Sequence, residues 1–149
     1  MITLKDHQNY VVEQAKLLIQ QGYDIMQKRV DGKRLAIAIQ APTGSGKTVI
    51  AAEMLLEILN NTYESDDHGI IHFGPILYTS ASPELNTQTI RKIERMYPSL
   101  RGKIRLVDAN FKEERLEPGY IYFINTQKLG VKGTLSRGDK EGSNEYNFW

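Results

Sequence analysis

The chain has 149 residues, a formal net charge of +1 and no cysteine. Its length fits a single domain, and its 40% hydrophobic and 25% charged residues are typical of a globular protein rather than a disordered or fibrous one. The lack of cysteine excludes a disulfide framework and thiolate metal ligands, and it is typical of a reducing compartment, so a cytoplasmic location is predicted. No apolar run approaches the ~18 residues of a membrane span, and no membrane partner is expected.

The first predicted element is a long helix that ends near residue 28. Thr3 and Asp6 have the spacing of a capping box, in which an acid follows a hydroxyl by three residues. Apolar residues then recur at steps of four and three, which predicts one buried stripe. The stripe consists of Val11, Ala15, Leu18, Gly22 and Ile25. Residues 1–33 are therefore assigned to an N-terminal helical segment.

A buried strand and a second helix are predicted next. Residues 35–39 form a continuous apolar run, which is typical of a parallel strand that is covered on both faces. After a glycine-rich turn, a helix is predicted from Gly46 or Lys47 to about Leu59. Its apolar stripe consists of Val49, Ala52, Leu56 and Leu59. A polar loop is expected to follow through His68.

Strands continue to alternate with helices in the rest of the chain. The predicted strands are 75–79, 104–107 and 120–124, and the predicted helix is 83–97, with a proline in its first turn. Nothing regular is predicted after residue 130, where the chain is polar and glycine-rich. This alternation predicts an α/β domain with a mainly parallel sheet. Tyr120 and Tyr122 are expected to pack within their strand rather than to stack on bases.

The strongest chemical signal is the octapeptide at residues 41–48, Ala-Pro-Thr-Gly-Ser-Gly-Lys-Thr. It matches the phosphate-binding pattern Gly-x4-Gly-Lys-Ser/Thr except that Ala41 replaces the first glycine. Between a predicted strand and a helix, its backbone N–H groups would form an anion nest at the positive end of the helix dipole. Lys47 can reach the β- and γ-phosphates, and the Thr48 hydroxyl can ligate Mg²⁺. We therefore predict ATP and Mg²⁺ as ligands of Pro42, Thr43, Gly44, Ser45, Gly46, Lys47 and Thr48.

The same octapeptide resembles motif I of superfamily 2 helicases and translocases, in which alanine is usual at the first position. The segment Leu4-Lys-Asp-His7-Gln8 resembles the Q-motif of that superfamily, in which a glutamine reads the adenine edge. A glutamine amide can pair bidentately with adenine N6 and N7. The resemblance therefore implies that Gln8 contacts adenine, and the alternative is an ordinary polar helix residue.

Two later segments extend the resemblance over nearly the whole chain. Residues 78–89 resemble motif Ia, and residues 119–130 resemble motif Ib; together they are most similar to DEAD/DEAH-box helicases related to the Res subunit of type III restriction enzymes. In that family these turns grip the nucleic-acid backbone. The implied contacts are Ser80, Ser82, Asn86, Thr126 and Gln127. Ser82 also has the position of a helix N-cap, and both roles can hold together.

The resemblance implies a RecA-like three-layer sandwich of the P-loop NTPase class, in a parent that is a DNA-dependent ATPase. Its implied partners are DNA and a downstream motor domain or modification subunit. No Asp-Glu dipeptide follows an apolar strand, and Asp108 is not expected to replace it. Residues 1–149 are therefore expected to be the N-terminal portion of a truncated first motor domain, with no catalytic residue of their own. We expect an unpaired apolar edge at 35–39 and a marginally stable, aggregation-prone or dimerising monomer.

Two alternatives in function stay open. A small P-loop kinase would carry the same phosphate loop, and a non-hydrolysing nucleotide-binding protein would keep the loop without the acids. The stretch 91–105 has six cationic residues and one acidic residue. It fits either a nucleic-acid contact or a solvated helix end.

Overall fold

The structure is a computed structural model. It describes residues 2–28, 36–60, 63–65, 69–70, 73–108, 110–111, 113 and 115–126. The chain divides into two compact units, one of Met1–Gly74 with Lys92–Arg101 and the other of Pro75–Arg91 with Gly102–Trp149. Each unit is described by itself. Within the described residues, no helix is both long and apolar enough to cross a membrane.

The first unit begins with helix α1, Asp6–Gln27, which confirms the predicted N-terminal helix. The predicted Thr3–Asp6 capping box is wrong, because the helix begins at Asp6 and the Lys5 carbonyl accepts its first hydrogen bonds, which puts Lys5 rather than Thr3 at the N-cap. Instead the Lys5 backbone N–H donates to Gln8 Oε1 at 3.0 Å. The glutamine thus satisfies the first N–H from the third helical position, as the acidic member of a capping box does.

The buried face of α1 lies to one side of the predicted stripe. Gln8, Val12, Ala15 and Gly22 are buried, and this side packs on helix α2 (Lys47–Leu59) and on the short strand β1 (Glu64–Ser65). Two predicted core residues are instead half exposed, Leu18 at 48% and Ile25 at 50%. The predicted stripe and the observed buried side both have helical periodicity. The side that includes Gln8 faces the rest of the unit.

Helix α2 has the predicted bounds and starts directly after Gly46. Its buried residues are Ile50, Ala52 and Leu55, so only Ala52 of the predicted stripe is fully buried. Strand β1 lies within the segment predicted as a polar loop, and its antiparallel partner β2 (Gly69–Ile70) directly follows that segment.

Tyr63, just before β1, is fully buried in the first unit. Its ring meets Phe73 edge-on with centroids 5.5 Å apart, and Lys16 Nζ lies 6.0 Å from its centroid. Its hydroxyl has no hydrogen-bond partner among the described residues. Burial, then the charges of Glu57 and Glu13, raise the pKa of Tyr63 to about 12.

The predicted strand at 35–39 is wrong for the residues that the structure describes, 36–39. They belong to no sheet, and the Ile39 side chain is 44% exposed. Residue 35 lies outside the described residues. A strand exists only through hydrogen bonds to a neighbour, and no strand in the described part of the chain pairs with this segment. Ala36, Ala38 and Ile39 are exposed and Ile37 is half-buried, so the segment is largely exposed but is not the edge strand of a sheet.

The second unit contains a three-stranded parallel sheet. Strand β5 (Ile121–Asn125) lies between β3 (Ile76–Ser80) and β4 (Ile104–Leu106), and helix α3 (Pro83–Met96) follows β3. The sheet and helices confirm the predicted α/β class and are compatible with a RecA-like fold. Residues 127–149 lie outside the described residues.

All five residues of the central strand β5 are buried. Phe123 stacks on Tyr78 with ring centroids 4.4 Å apart, and Tyr122 forms a cluster with Val107 and Ile124. Tyr120 packs against that cluster. The prediction that these tyrosines serve strand packing is confirmed.

Candidate nucleotide site

A glycine turn leads from the exposed segment 36–41 into helix α2. Gly44 and Gly46 have φ of +85° and +89°, a left-handed conformation that glycine adopts without steric cost. The Ser45 N–H donates to the Pro42 carbonyl at 3.3 Å and closes the turn. The Gly46 carbonyl then accepts the N–H groups of Val49 at 2.8 Å and Ile50 at 3.1 Å, which starts the helix.

Gln8 binds this turn from helix α1. Its Nε2 donates to the Ser45 carbonyl at 3.0 Å, while its Oε1 accepts from the Lys5 N–H at 3.0 Å. His7 Nε2 lies 3.1 Å from the same Ser45 carbonyl. A Cβ on Gly46 would overlap Gln8 Nε2. Gly46 is therefore favoured by its backbone conformation, and any Cβ at this position would displace the Gln8 amide from its place beside the turn.

The start of α2 has the properties of an anion site. Gly46 supplies no side-chain cap, and the first N–H groups of any helix lack acceptors within it. Lys47 is exposed and Thr48 is half-buried at this end. Ser45 Oγ is buried and has no hydrogen-bond partner in the described part of the chain. These donors fit a phosphate group, and the Thr48 hydroxyl fits a Mg²⁺ ligand.

Three of the five candidate nucleic-acid residues, Ser80, Ser82 and Thr126, lie at the carboxyl ends of the second unit's strands. Ser80 and Asn125 are register partners at the carboxyl ends of β3 and β5, and exposed Thr126 follows Asn125. Ser80 Oγ donates to the Ser82 carbonyl at 2.9 Å, and Ser82 Oγ accepts the Leu85 N–H at 3.3 Å. Ser82 is therefore an N-cap of α3, as its position predicted.

The other two predicted nucleic-acid contacts are Asn86 and Gln127. Asn86 is only 1% exposed, and its Oδ1 has no hydrogen-bond partner within the described ranges. Direct contact with a nucleic acid would require this side chain to become exposed. Gln127 lies outside the described residues.

Arg105, a member of the cationic stretch 91–105, has partners within its own unit. Its guanidinium lies 4.4 Å from the centroid of the Tyr120 ring, and its Nε is 3.4 Å from a Glu113 carboxylate oxygen. It also donates to the Gly102 carbonyl at 2.9 Å. These contacts favour a structural role for Arg105.

The sequence did not predict the contacts of two further residues, His7 at the glycine turn and Glu113 beside β5. His7 was visible only as the neighbour of Gln8, and its approach to Ser45 depends on how α1 is placed. Glu113 carried no local signal. Its carboxylate accepts the Tyr122 hydroxyl at 3.0 Å, and that hydroxyl accepts the Glu117 N–H at 2.9 Å.

Two left-handed glycines at the start of a helix, in an α/β chain with a parallel sheet, are features of helicase-like ATPase motors. The chain belongs to the family of the type III restriction enzyme res subunit, whose family model matches residues 1–147. This confirms the resemblance drawn from the motifs. The family generally uses ATP with Mg²⁺ and is the DNA-acting ATPase part of type III restriction systems. No curated protein and no solved structure matches the chain.

Proposed function

We propose that this chain binds ATP and Mg²⁺ at residues 42–48 and is the ATP-binding part of a DNA helicase or translocase motor in a type III restriction-like system. The observation that carries the proposal is the hydrogen bond from Gln8 Nε2 to the Ser45 carbonyl. This bond connects the amide that would contact the base to the turn whose backbone would bind the phosphates.

The Gln8 amide keeps enough hydrogen-bonding capacity to read adenine. A glutamine amide has two N–H donors and two lone pairs on its oxygen. The bonds to Ser45 and Lys5 use one donor and one lone pair. The remaining N–H can donate to adenine N7, and the remaining lone pair can accept from the N6 amine. Gln8 is 7% exposed, so base reading would also require this amide to become accessible, with both bonds to the protein kept.

The phosphates would lie at the start of α2. Backbone N–H groups after Gly44 and the positive end of the helix dipole favour negative charge there. The exposed ammonium of Lys47 can approach the β- and γ-phosphates, and the Thr48 hydroxyl would be a ligand of Mg²⁺. Mg²⁺ neutralises charge on the phosphates when bound.

DNA would bind at the carboxyl edge of the parallel sheet. The turn after β3 brings Ser80 and Ser82 there, and the turn after β5 brings Thr126. Hydroxyl groups and the N-terminus of α3 suit phosphate oxygens and carry no sequence information. The proposed DNA contact is therefore to the backbone rather than to the bases.

The test is a titration with a fluorescent ATP analogue in the presence of Mg²⁺. Lys47→Ala should abolish binding, whereas Lys92→Ala, which removes an exposed cation on α3, should leave the affinity unchanged. Equal affinity in wild type and Lys47→Ala would overturn the proposal. Because the sequence contains no Asp-Glu dipeptide, we expect little turnover by this chain alone, with or without single-stranded DNA.

The same assay separates the alternative functions. Phosphate transfer to a small molecule would favour a kinase, and DNA-stimulated hydrolysis would favour a motor that is active in this chain. Binding without turnover and without salt-dependent DNA affinity would favour a nucleotide-binding protein outside the motor class.

A further inference from the structure

Helix α1 carries an uncharged outer face opposite to the side that packs on α2. Four large apolar residues on it are substantially exposed, Tyr10 at 65%, Leu17 and Leu18 at 48% each, and Ile25 at 50%. Two exposed glutamines, Gln14 and Gln21, lie between them. By helical spacing these six residues share a stripe ~100° wide, which we call the outer face.

An exposed apolar stripe of this kind is unusual for a helix of a monomeric protein. Single exposed apolar residues are common, but contiguous groups of them mark binding surfaces. Between Tyr10 and Ile25 no Asp, Glu, Lys or Arg falls within the outer face. Glu13 and Asp24 lie beside it, and Lys16 lies on another side of the helix, with its Nζ 6.0 Å from the Tyr63 ring centroid. The outer face is therefore suited to a partner helix whose contact surface also has no charged residues.

The outer face is complementary to itself. A two-fold axis between Leu17 and Leu18, perpendicular to the helix, places each of these residues opposite the other in a second, antiparallel copy. The same axis places Gln14 opposite Gln21 and Tyr10 opposite Ile25. Apolar residues thus meet apolar residues and amides meet amides at every layer, as a symmetric interface requires.

Antiparallel pairing also opposes the two helix dipoles. A parallel pair would instead align the dipoles and place each Asp6 beside its own equivalent.

We propose that a second copy of this chain docks on the outer face of α1 in an antiparallel, two-fold symmetric arrangement. Gln8 projects from a different side of the helix, towards Ser45. The Gln8–Ser45 hydrogen bond therefore lies outside the outer face, and dimer formation through residues 10–25 does not require ATP.

Charge variants at the two glutamines test the proposed pairing. In Q14E/Q21E, carboxylates face each other in two layers, and the dimer dissociation constant should rise at least about tenfold, or about 1.4 kcal/mol. In Q14E/Q21K the same layers pair opposite charges, so the dimer should be kept. Sedimentation velocity over a range of protein concentrations measures both, and circular dichroism with ATP titration verifies that each variant is folded. A wild type that is monomeric throughout, or two variants that dissociate equally, would overturn the proposal.

Cross-linking tests the direction of pairing, since the chain has no cysteine of its own. An equimolar mixture of Q14C and Q21C should give a disulfide-linked heterodimer under mild oxidation, whereas each variant alone should cross-link poorly. N9C, exposed on another side of α1, is the matched control and should stay monomeric on a reducing-agent-free gel. Efficient cross-linking of Q14C to itself would indicate parallel pairing and overturn the proposal.

Discussion

Gln8 and Ser45 lie 37 residues apart in the chain and are joined by a 3.0 Å hydrogen bond from Gln8 Nε2 to the Ser45 carbonyl. The bond links the first turn of α1 to the glycine turn that begins α2. Both residues lie in the first compact unit. A change at Gln8 therefore affects the turn as well as any base that the amide reads.

Gln8→Ala should lower ATP affinity about tenfold, because it removes a hydrogen bond worth about 1 kcal/mol and the proposed adenine contacts. It should also reduce the preference for ATP over GTP, since guanine has a carbonyl where adenine has the N6 amine. Competition titrations with both nucleotides measure this ratio. Asn9→Ala, which removes the neighbouring exposed amide, should change neither value. An unaltered ATP/GTP ratio in Gln8→Ala would contradict the base-reading role.

Gly46→Ala should be more harmful than Gly44→Ala, although both glycines are left-handed. The backbone conformation alone costs an alanine about 1 kcal/mol at either position. Only at Gly46 does the added Cβ overlap Gln8 Nε2, whereas nothing lies within 4 Å at Gly44. Urea unfolding of both variants measures the difference in the free energy of unfolding.

A double variant isolates the steric part of the Gly46 effect. In Gly46→Ala with Gln8→Ala the overlapping amide is gone, so the combined loss of stability should be smaller than the sum of the two single losses. Strict additivity would indicate that Gln8 does not restrict position 46.

Removing the side-chain hydroxyl should change the free energy of unfolding in opposite directions at two buried tyrosines. The Tyr63 hydroxyl has no partner among the described residues, so Tyr63→Phe should raise the free energy of unfolding by about 1 kcal/mol. The Tyr122 hydroxyl donates to Glu113 and accepts from the Glu117 N–H. Tyr122→Phe should therefore lower stability by about 1–3 kcal/mol. Denaturant titrations that give the same sign for both would contradict the assigned hydrogen bonds.

The raised pKa of Tyr63 predicts a loss of stability in alkali. Its ordinary value of 10.0 rises to about 12 in the folded chain, so between these values the folded state holds a proton that the unfolded state releases. The stabilisation is complete below about pH 10 and is lost as the pH rises through about 12, by about 2 kcal/mol in all. The difference between wild type and Tyr63→Phe isolates this residue from the other tyrosines. If the difference in the free energy of unfolding between the two proteins did not change with pH, it would contradict the raised pKa of Tyr63.

Local sequence was sufficient for the glycine turn and for most helices and strands. The two glycines before Lys47 predict a left-handed turn and a helix start without reference to any distant residue. Helix α3 was likewise indicated by Ser82 and Pro83, whose roles as N-cap and first helical residue are local. The apolar runs of β3 and β5 predicted strands correctly, and each run lies beside a parallel neighbour in the sheet.

Tertiary structure decided the features that depend on a partner far along the chain. Residues 36–39 have the composition of a buried strand, yet composition cannot supply the neighbour whose hydrogen bonds make one. Helix α1 has two sides that carry apolar residues, and only the side that includes Gln8 and Val12 packs against the rest of its unit. Arg105 meets Tyr120 and Glu113 only because the chain returns there. Sequence determines conformations that neighbouring residues impose, whereas burial and pairing are set by contacts that form only once the chain is folded.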